Sequence, residues 1–136
     1  MRVVIDTNIL LVSVSPRSKS HWVYQKLISG EYTLCVSTEI LLEYQEIFEQ
    51  KLGRVFAEAV MNVLDNLPNI MYVHSYISWD LIKVDADDNK FVDCAIAAGA
   101  DYLTTNDTHF NIVKTIPFPK VNVVNLVEFY KIVFKI

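Results

Sequence analysis

Short apolar runs alternate with longer periodic ones along the chain. Val3–Ile5, Thr33–Val36, Tyr102–Thr104 and Val121–Val124 are each three or four residues long and rich in β-branched or aromatic side chains. Runs of that length and composition are expected for strands covered on both faces. Asn69–Val73 is a fifth candidate. Helical patterns fill the intervals. Ser20–Ser29 follows the turn SVSPRSKS and stops at Gly30. Glu39–Leu52 is apolar at positions 40, 41, 44, 47, 48 and 52, a helical period, and ends before Gly53. Arg54–Leu67 is closed by Pro68, and Asn89–Gly99 is short and alanine-rich, with Asp87 or Asp88 placed to cap it. Asn125–Phe134 begins with Asn125 and Glu128 in the spacing of a capping box.

Alternation of strand and helix throughout predicts an α/β fold around a mainly parallel sheet. No repeat, low-complexity tract or linker divides the chain, so residues 1–136 are expected to form one domain. In such sheets the crevice outside the carboxyl ends of the strands receives ligands. Asp6 stands at the end of the first strand and Asp107 just past the one at 102–104.

Composition adds a well-filled core, with 52% hydrophobic residues and a mean hydropathy of +0.27. No apolar run reaches the roughly 18–20 residues that span a bilayer, and Asp6 interrupts any leader-like segment. A soluble cytoplasmic protein without membrane contact is expected. Cys35 and Cys94 lack a metal or redox spacing and read as reduced packing residues. The net charge of −4 argues at first against a nucleic-acid partner. Sixteen acidic residues less Asp6, Glu43, Asp88, Asp93 and Asp107 leave eleven against twelve basic ones. If those five share one cation site, the rest of the chain is near neutral, and charge does not exclude RNA.

An ionised Asp6 between Val3-Val4-Ile5 and Ile9-Leu10-Leu11 needs a partner. It reads either as the N-cap of a helix starting near Asn8 or as a ligand in the crevice, and Asn8 can cap that helix or orient the carboxylate. Asp85, Asp87 and Asp88 crowd a helix start, where the macrodipole favours negative charge. Asp93 lies inside that helix among small residues, where a charge is expected to be paired or metal-bound. Asp107, after Thr104-Thr105-Asn106, repeats the arrangement at Asp6, again as cap or ligand. On the helix from Glu39, Glu43 lies about 40° from Ile47 and 60° from Ile40, at the margin of the apolar stripe. Glu46 is the alternative. Two carboxylates about 4 Å apart repel by roughly 4 kcal/mol at an effective dielectric near 20. A converged set therefore takes up protons or a divalent cation, and an all-oxygen donor set selects Mg²⁺ or Mn²⁺ over Zn²⁺. Phosphodiester hydrolysis is the chemistry that follows.

These segments resemble the PIN-domain family, in particular the stand-alone VapC-like toxins of toxin–antitoxin pairs. "VVIDTNIL" resembles the family's opening strand with its D-T-N/S signature, and "VSTEILLEYQEIF" its S-x-x-I-x-x-E helix, which selects Glu43 over Glu46. "DADDNKFVDCAIAAGADYLTTND" is similar to the D-x-x-D-N-K-F-x-D/E-x-A segment with its following strand and T-x-D. The resemblance implies a three-layer α/β/α sandwich and a metal-dependent endoribonuclease. In it Asp6, Glu43, Asp93 and Asp107 would hold one or two Mg²⁺ or Mn²⁺ ions. Asp88 would be a fifth ligand or an outer group, and Asn8 and Thr105 would support the shell. It implies RNA as substrate, an antitoxin protein as partner, and a homodimer or higher oligomer.

Other readings fit the residues less well. A phosphoacceptor domain needs an Asp at a strand end near mid-chain, where this sequence has FAEAVMNVLDNL. A haloacid-dehalogenase-like phosphatase needs D-x-D, where it has Asp6-Thr7-Asn8. A non-catalytic PIN module serving as an RNA- or protein-binding scaffold is the alternative within the resemblance. His21, His74 and His109 share no ligand spacing, though His109 is near Asp107. Trp22 and Trp79 read as core residues or as stacking platforms for bases. Lys90 is placed either to steady a phosphate or to solvate a helix face.

Overall fold

Val3, Val4 and Ile5 are all fully buried, although successive side chains of a strand point to opposite faces. Their strand, β1 (Arg2–Ile5), is therefore covered above and below. It occupies the middle of a five-stranded sheet in the computed structural model, which describes all residues Met1–Ile136. The others are β2 (Thr33–Val36), β3 (Ile70–Tyr72), β4 (Tyr102–Thr104) and β5 (Val123–Val124). The sheet order is β3-β2-β1-β4-β5 and every neighbouring pair is parallel. The helices are α1 (Thr7–Ser13), α2 (His21–Ile28), α3 (Thr38–Leu52), α4 (Arg54–Asn66), α5 (Asn89–Ala98) and α6 (Leu126–Phe134). Short 3₁₀ stretches lie at Ala86–Asp88 and Thr108–Thr115. Helices on both faces of a parallel sheet make an α/β/α sandwich, with thirty buried apolar residues in one cluster.

The elements stand where the hydrophobic pattern put them, with ends shifted by a residue or two. All five strand candidates form, although the last shrinks to Val123–Val124. Asn125 and Glu128 close a reciprocal capping box on α6. Gly53 separates α3 from α4 at φ +83°, a conformation that L side chains rarely adopt, so one residue reverses the chain. The 3₁₀ stretch after β4 carries no helical apolar period and was not expected. Cys35 and Cys94 are buried free thiols, and burial pushes the Cys94 thiol up to about 12. Trp22 packs on Phe129, Tyr130 and Phe134 of α6.

Connectivity decides where a site can form. From β1 the chain builds outward through β2 and β3 on one side, then returns to lay β4 and β5 on the other. The order reverses between β1 and β4, and connections leaving adjacent strands in opposite directions open a crevice at their carboxyl ends. Ile5 is in register with Thr104, and the Asp6 amide donates to the Thr104 carbonyl at 3.0 Å. The residues after these strands, 6 and 105–107, therefore emerge side by side. The buried Tyr44 of α3 donates its hydroxyl to the Ile5 carbonyl at 2.5 Å, which fixes α3 against the same strand end.

Residues 73–85 have no regular structure, and Asn89 anchors them to α5. Its amide accepts from the Ile82 backbone N–H and donates to the Ile82 carbonyl, both at 2.8 Å. Asn89→Ala strands both groups of the fully buried Ile82, at a cost expected to be about 2 kcal/mol. Urea denaturation should show the midpoint falling with an unchanged slope; a loss below about 0.5 kcal/mol would mean water replaces the amide.

Candidate metal centre

Asp6 follows β1 directly and occupies the N-cap position of α1, where its carbonyl accepts from the Ile9 and Leu10 amides. Its side chain does not cap. It accepts instead from the Thr105 hydroxyl at 2.7 Å, and the residue is only 8% exposed. Burial raises its pKa above the ordinary value; the Thr105 bond opposes that, and the charges of Asp107 and Glu43 add to it. Thr105 also accepts from the Asp107 backbone N–H at 3.0 Å, so one hydroxyl links the acids at the two strand ends. Asp107 does act as a cap, accepting from the His109 N–H at 2.9 Å, and it flanks Asp6 in the cleft.

Glu43 reaches the cluster from α3. The Thr7 hydroxyl donates to its Oε2, and Lys90 Nζ lies 2.8 Å from its Oε1. Glu46 is exposed, so of the two alternatives on this helix Glu43 is the one in the site. Asp88 arrives from the 3₁₀ turn before α5, its side chain 14% exposed. Burial pushes its pKa up to about 6, aided by the charges of Asp85 and Asp107 and opposed by His109. His109 Nδ1 stands 3.4 Å from Asp88 and 3.5 Å from Asp107. Ligand atoms of Asp85, Asp88 and His109 all fall within 4.8 Å of one another.

Asp93 is not brought to this cluster. Five residues separate it from Asp88, which is about 140° around a helix, so the two cannot share a face. Its carboxylate accepts from the Trp79 backbone N–H at 3.2 Å and senses Glu39 and Asp80, not Asp6 or Asp107. Burial raises its pKa, and the Trp79 bond opposes the rise. The pairing anticipated for a charge at this position is real, but its partner is backbone. Asn8 is exposed and makes no hydrogen bond to Asp6; it lines an open cleft of about 390 Å³ with Asp6, Asn106, Asp107 and Leu126. A larger groove of about 530 Å³ between α3 and α4 lies away from these groups. The sequence reading passed over Thr7, which the D-T-N signature placed beside Asp6, and gave His109 little weight. Helical phase, applied to Asp88 and Asp93 as it was to Glu43, carried the signal that separates them.

Four carboxylates thus converge from four segments: Asp6, Glu43, Asp88 and Asp107. Burial is the main reason that Asp6 and Asp88 hold protons more tightly than free carboxylates do, and the neighbouring acids add to it. Oxygen donors with one adjacent imidazole suit a hard divalent ion such as Mg²⁺ or Mn²⁺. The residues whose ligand atoms lie within mutual reach of one such ion are Asp85, Asp88 and His109.

The family model described as PIN domain matches residues 2–109, a span that includes every one of these groups. No curated protein matches the chain in sequence. Among solved structures, VapBC2 from Rickettsia felis, bound to a DNA fragment from its promoter, contains a similar chain at 18% identity and a TM-score of 0.65. That match covers 92% of this chain and 98% of the other. FitAB bound to an IR36 DNA fragment matches at 14% identity and a TM-score of 0.61, covering 91% and 94%. FitAcB from Neisseria gonorrhoeae matches at 16% and 0.57, covering 92% and 98%. At such identities the likeness is one of fold.

The raised Asp88 pKa has a consequence for stability. Because its folded value of about 6 exceeds the ordinary 3.8, folding is favoured below pH 4 and loses that advantage as pH rises through 6. Without divalent metal, Asp88→Asn is expected to be more stable than the native sequence near pH 8, by about 1–2 kcal/mol after allowance for solvent screening. The gain should vanish near pH 4. Chemical denaturation in EDTA at the two pH values measures it; an equal effect at both would rule out a charge origin.

Proposed function

The chain belongs to the PIN-domain family, and we propose that it is a divalent-metal-dependent endoribonuclease, the toxin of a toxin–antitoxin pair. PIN-domain proteins are generally nucleases. The observation that carries the finer reading is the meeting of Asp6, Glu43, Asp88 and Asp107 at the sheet's switch point, where Asp6 is linked to Asp107 through Thr105 and both Asp6 and Asp88 sense the charge of Asp107. The folds it resembles include VapBC2 and FitAB, which are toxin–antitoxin assemblies; this supports an antitoxin protein as partner, and a homodimer or higher oligomer is part of the proposal. No helix is long and apolar enough to cross a membrane, in keeping with action on cytoplasmic RNA.

Each residue has a part in this reading. Asp6, Asp88 and Asp107 would hold one or two Mg²⁺ or Mn²⁺ ions, with Glu43 on the α3 side. Thr105 fixes Asp6 by its hydroxyl and Asp107 through the backbone, and Thr7 fixes Glu43. The chemistry supplied by a bound divalent ion is Lewis acidity, which acidifies an attacking water and offsets charge on a phosphodiester. His109, beside Asp88 and Asp107, is placed to donate a proton or a hydrogen bond to a phosphate oxygen. Asn8 and Asn106 present amides along the open cleft for the RNA backbone. Asp93 stands outside this set and steadies the 73–85 segment through Trp79.

Cleavage of single-stranded RNA with Mg²⁺ or Mn²⁺ tests the reading. Asp6→Asn and Asp88→Asn should each lower kcat/KM by about a hundredfold or more, with circular dichroism unchanged. Asp93→Asn should stay within about fivefold of the native protein, as expected of a change away from reacting groups. EDTA should abolish activity, and full activity in its presence would overturn the metal mechanism. RNA binding without cleavage under every metal condition would favour the scaffold alternative. Induced expression should arrest growth through the native chain and not through Asp6→Asn; unimpaired growth with both would remove the toxin assignment.

A further inference from the structure

Lys90 lies near the start of α5, and its ammonium spans to α3, 2.8 Å from Glu43 Oε1. The side chains are 18% and 22% exposed, so the pair is shielded from much of the screening that weakens surface ion pairs. Glu43 does not depend on Lys90 for its orientation. The Thr7 hydroxyl, from the first turn of α1, holds the other oxygen, and the neighbouring Tyr44 pins α3 to the end of β1. What Lys90 contributes is charge. It places a fixed positive group on one of four carboxylates that otherwise repel one another.

We propose that Lys90 is a built-in counter-cation: its ammonium occupies Glu43 in the metal-free protein and competes with a divalent ion for the acidic cluster. The inference rests on the proposed metal-dependent reading of the same site. Two effects work in the same direction. An ion that takes Oε1 of Glu43 as a ligand competes with the ammonium for that oxygen, and one that takes Oε2 binds a carboxylate whose charge the ammonium already offsets. An ion held by Asp6, Asp88 and Asp107 alone meets a cluster whose fourth carboxylate is already paired with an ammonium, so less negative charge is left to attract it. Lys90 thus lowers metal affinity below what the acids alone would give and keeps the metal-free protein from carrying four uncompensated charges. It acts on the site through the charge it places on Glu43.

Isothermal titration of the full chain with MnCl₂, without RNA, reads this directly. Lys90→Met keeps the aliphatic stem and Lys90→Gln keeps a polar tip; both remove the charge. Each should bind Mn²⁺ about tenfold more tightly than the native protein at low ionic strength, with the gap narrowing as salt is added. Lys90→Arg keeps the charge and should stay within about twofold of the native Kd, a rescue that a purely structural role does not produce. In EDTA the two neutral variants should melt below the native protein. Equal or weaker Mn²⁺ binding by both neutral variants, with the native protein binding normally, overturns the counter-cation role and leaves the metal reading intact. A native protein that binds no Mn²⁺ overturns the metal reading, and this inference with it.

Discussion

Mutual repulsion among carboxylates at the carboxyl edge of the sheet is the constraint to which the rest of the structure answers. Nothing in Asp6, Glu43, Asp88 and Asp107 favours their proximity; groups of one sign in a partly buried cleft push one another apart and take up protons instead. They stay together because their backbones are not free to move. Asp6 follows a strand whose three apolar residues are fully buried, and its amide is bonded to Thr104 of the adjacent strand. Asp107 follows that adjacent strand, and Glu43 sits beside Tyr44, whose hydroxyl is bonded to Ile5. The apolar core supplies the rigidity and the cluster draws on it. Short-range polar contacts then set the side chains, through the hydroxyls of Thr7 and Thr105 and the His109 ring, while the Lys90 ammonium offsets the charge of Glu43.

Much of this was legible in the sequence, for a physical reason. Strands covered on both faces and helices covered on one write their burial into apolar spacing, so β1, β2, β4 and the helices from α2 onward read directly. The positions of Asp6 and Asp107 followed from the rule that parallel sheets bind ligands at strand ends. Their adjacency, however, came from strand order, which no local pattern encodes. Glu43 was separated from Glu46 only by resemblance to a motif, since angular position on α3 left both admissible. The structure makes the difference physical: Glu43 is held by two donors, whereas Glu46 faces solvent.

Asp93 shows where such reading misleads. A charge among alanines was correctly seen to need a partner, but backbone amides also serve as partners, and a sequence does not announce them. Trp79 supplies the amide from a segment with no regular structure, which left no period to read. Asp88 was harder to credit because three acids at a helix start have a sufficient explanation in the helix dipole. Here the three differ in use. Asp85 accepts from the Asp87 amide as a cap, Asp87 is exposed, and Asp88 makes no cap and turns into the cluster. The adjacent Asn89 is structural, latching Ile82, so the four polar residues between 85 and 89 serve distinct ends.

The same comparison indicates which local inconsistencies carry information. Capping side chains satisfy amide donors and agree with their surroundings, as Asp85 does with the Asp87 amide and Asn125 with that of Glu128. Asp6 and Asp88 occupy cap positions without capping, are poorly exposed, and hold their protons more tightly than free carboxylates. A chain selected only for stability would replace either with Asn or Ser, which cap without the cost of burying charge. Their presence where stability alone disfavours them is in keeping with the divalent ion proposed for this site. Lys90 is consistent with that view: one fixed positive charge relieves part of the repulsion, and Asp88 remains raised to about 6 with it in place. The residual imbalance is of the kind that a small divalent ion removes, and it lies at the switch point where the fold opens its crevice.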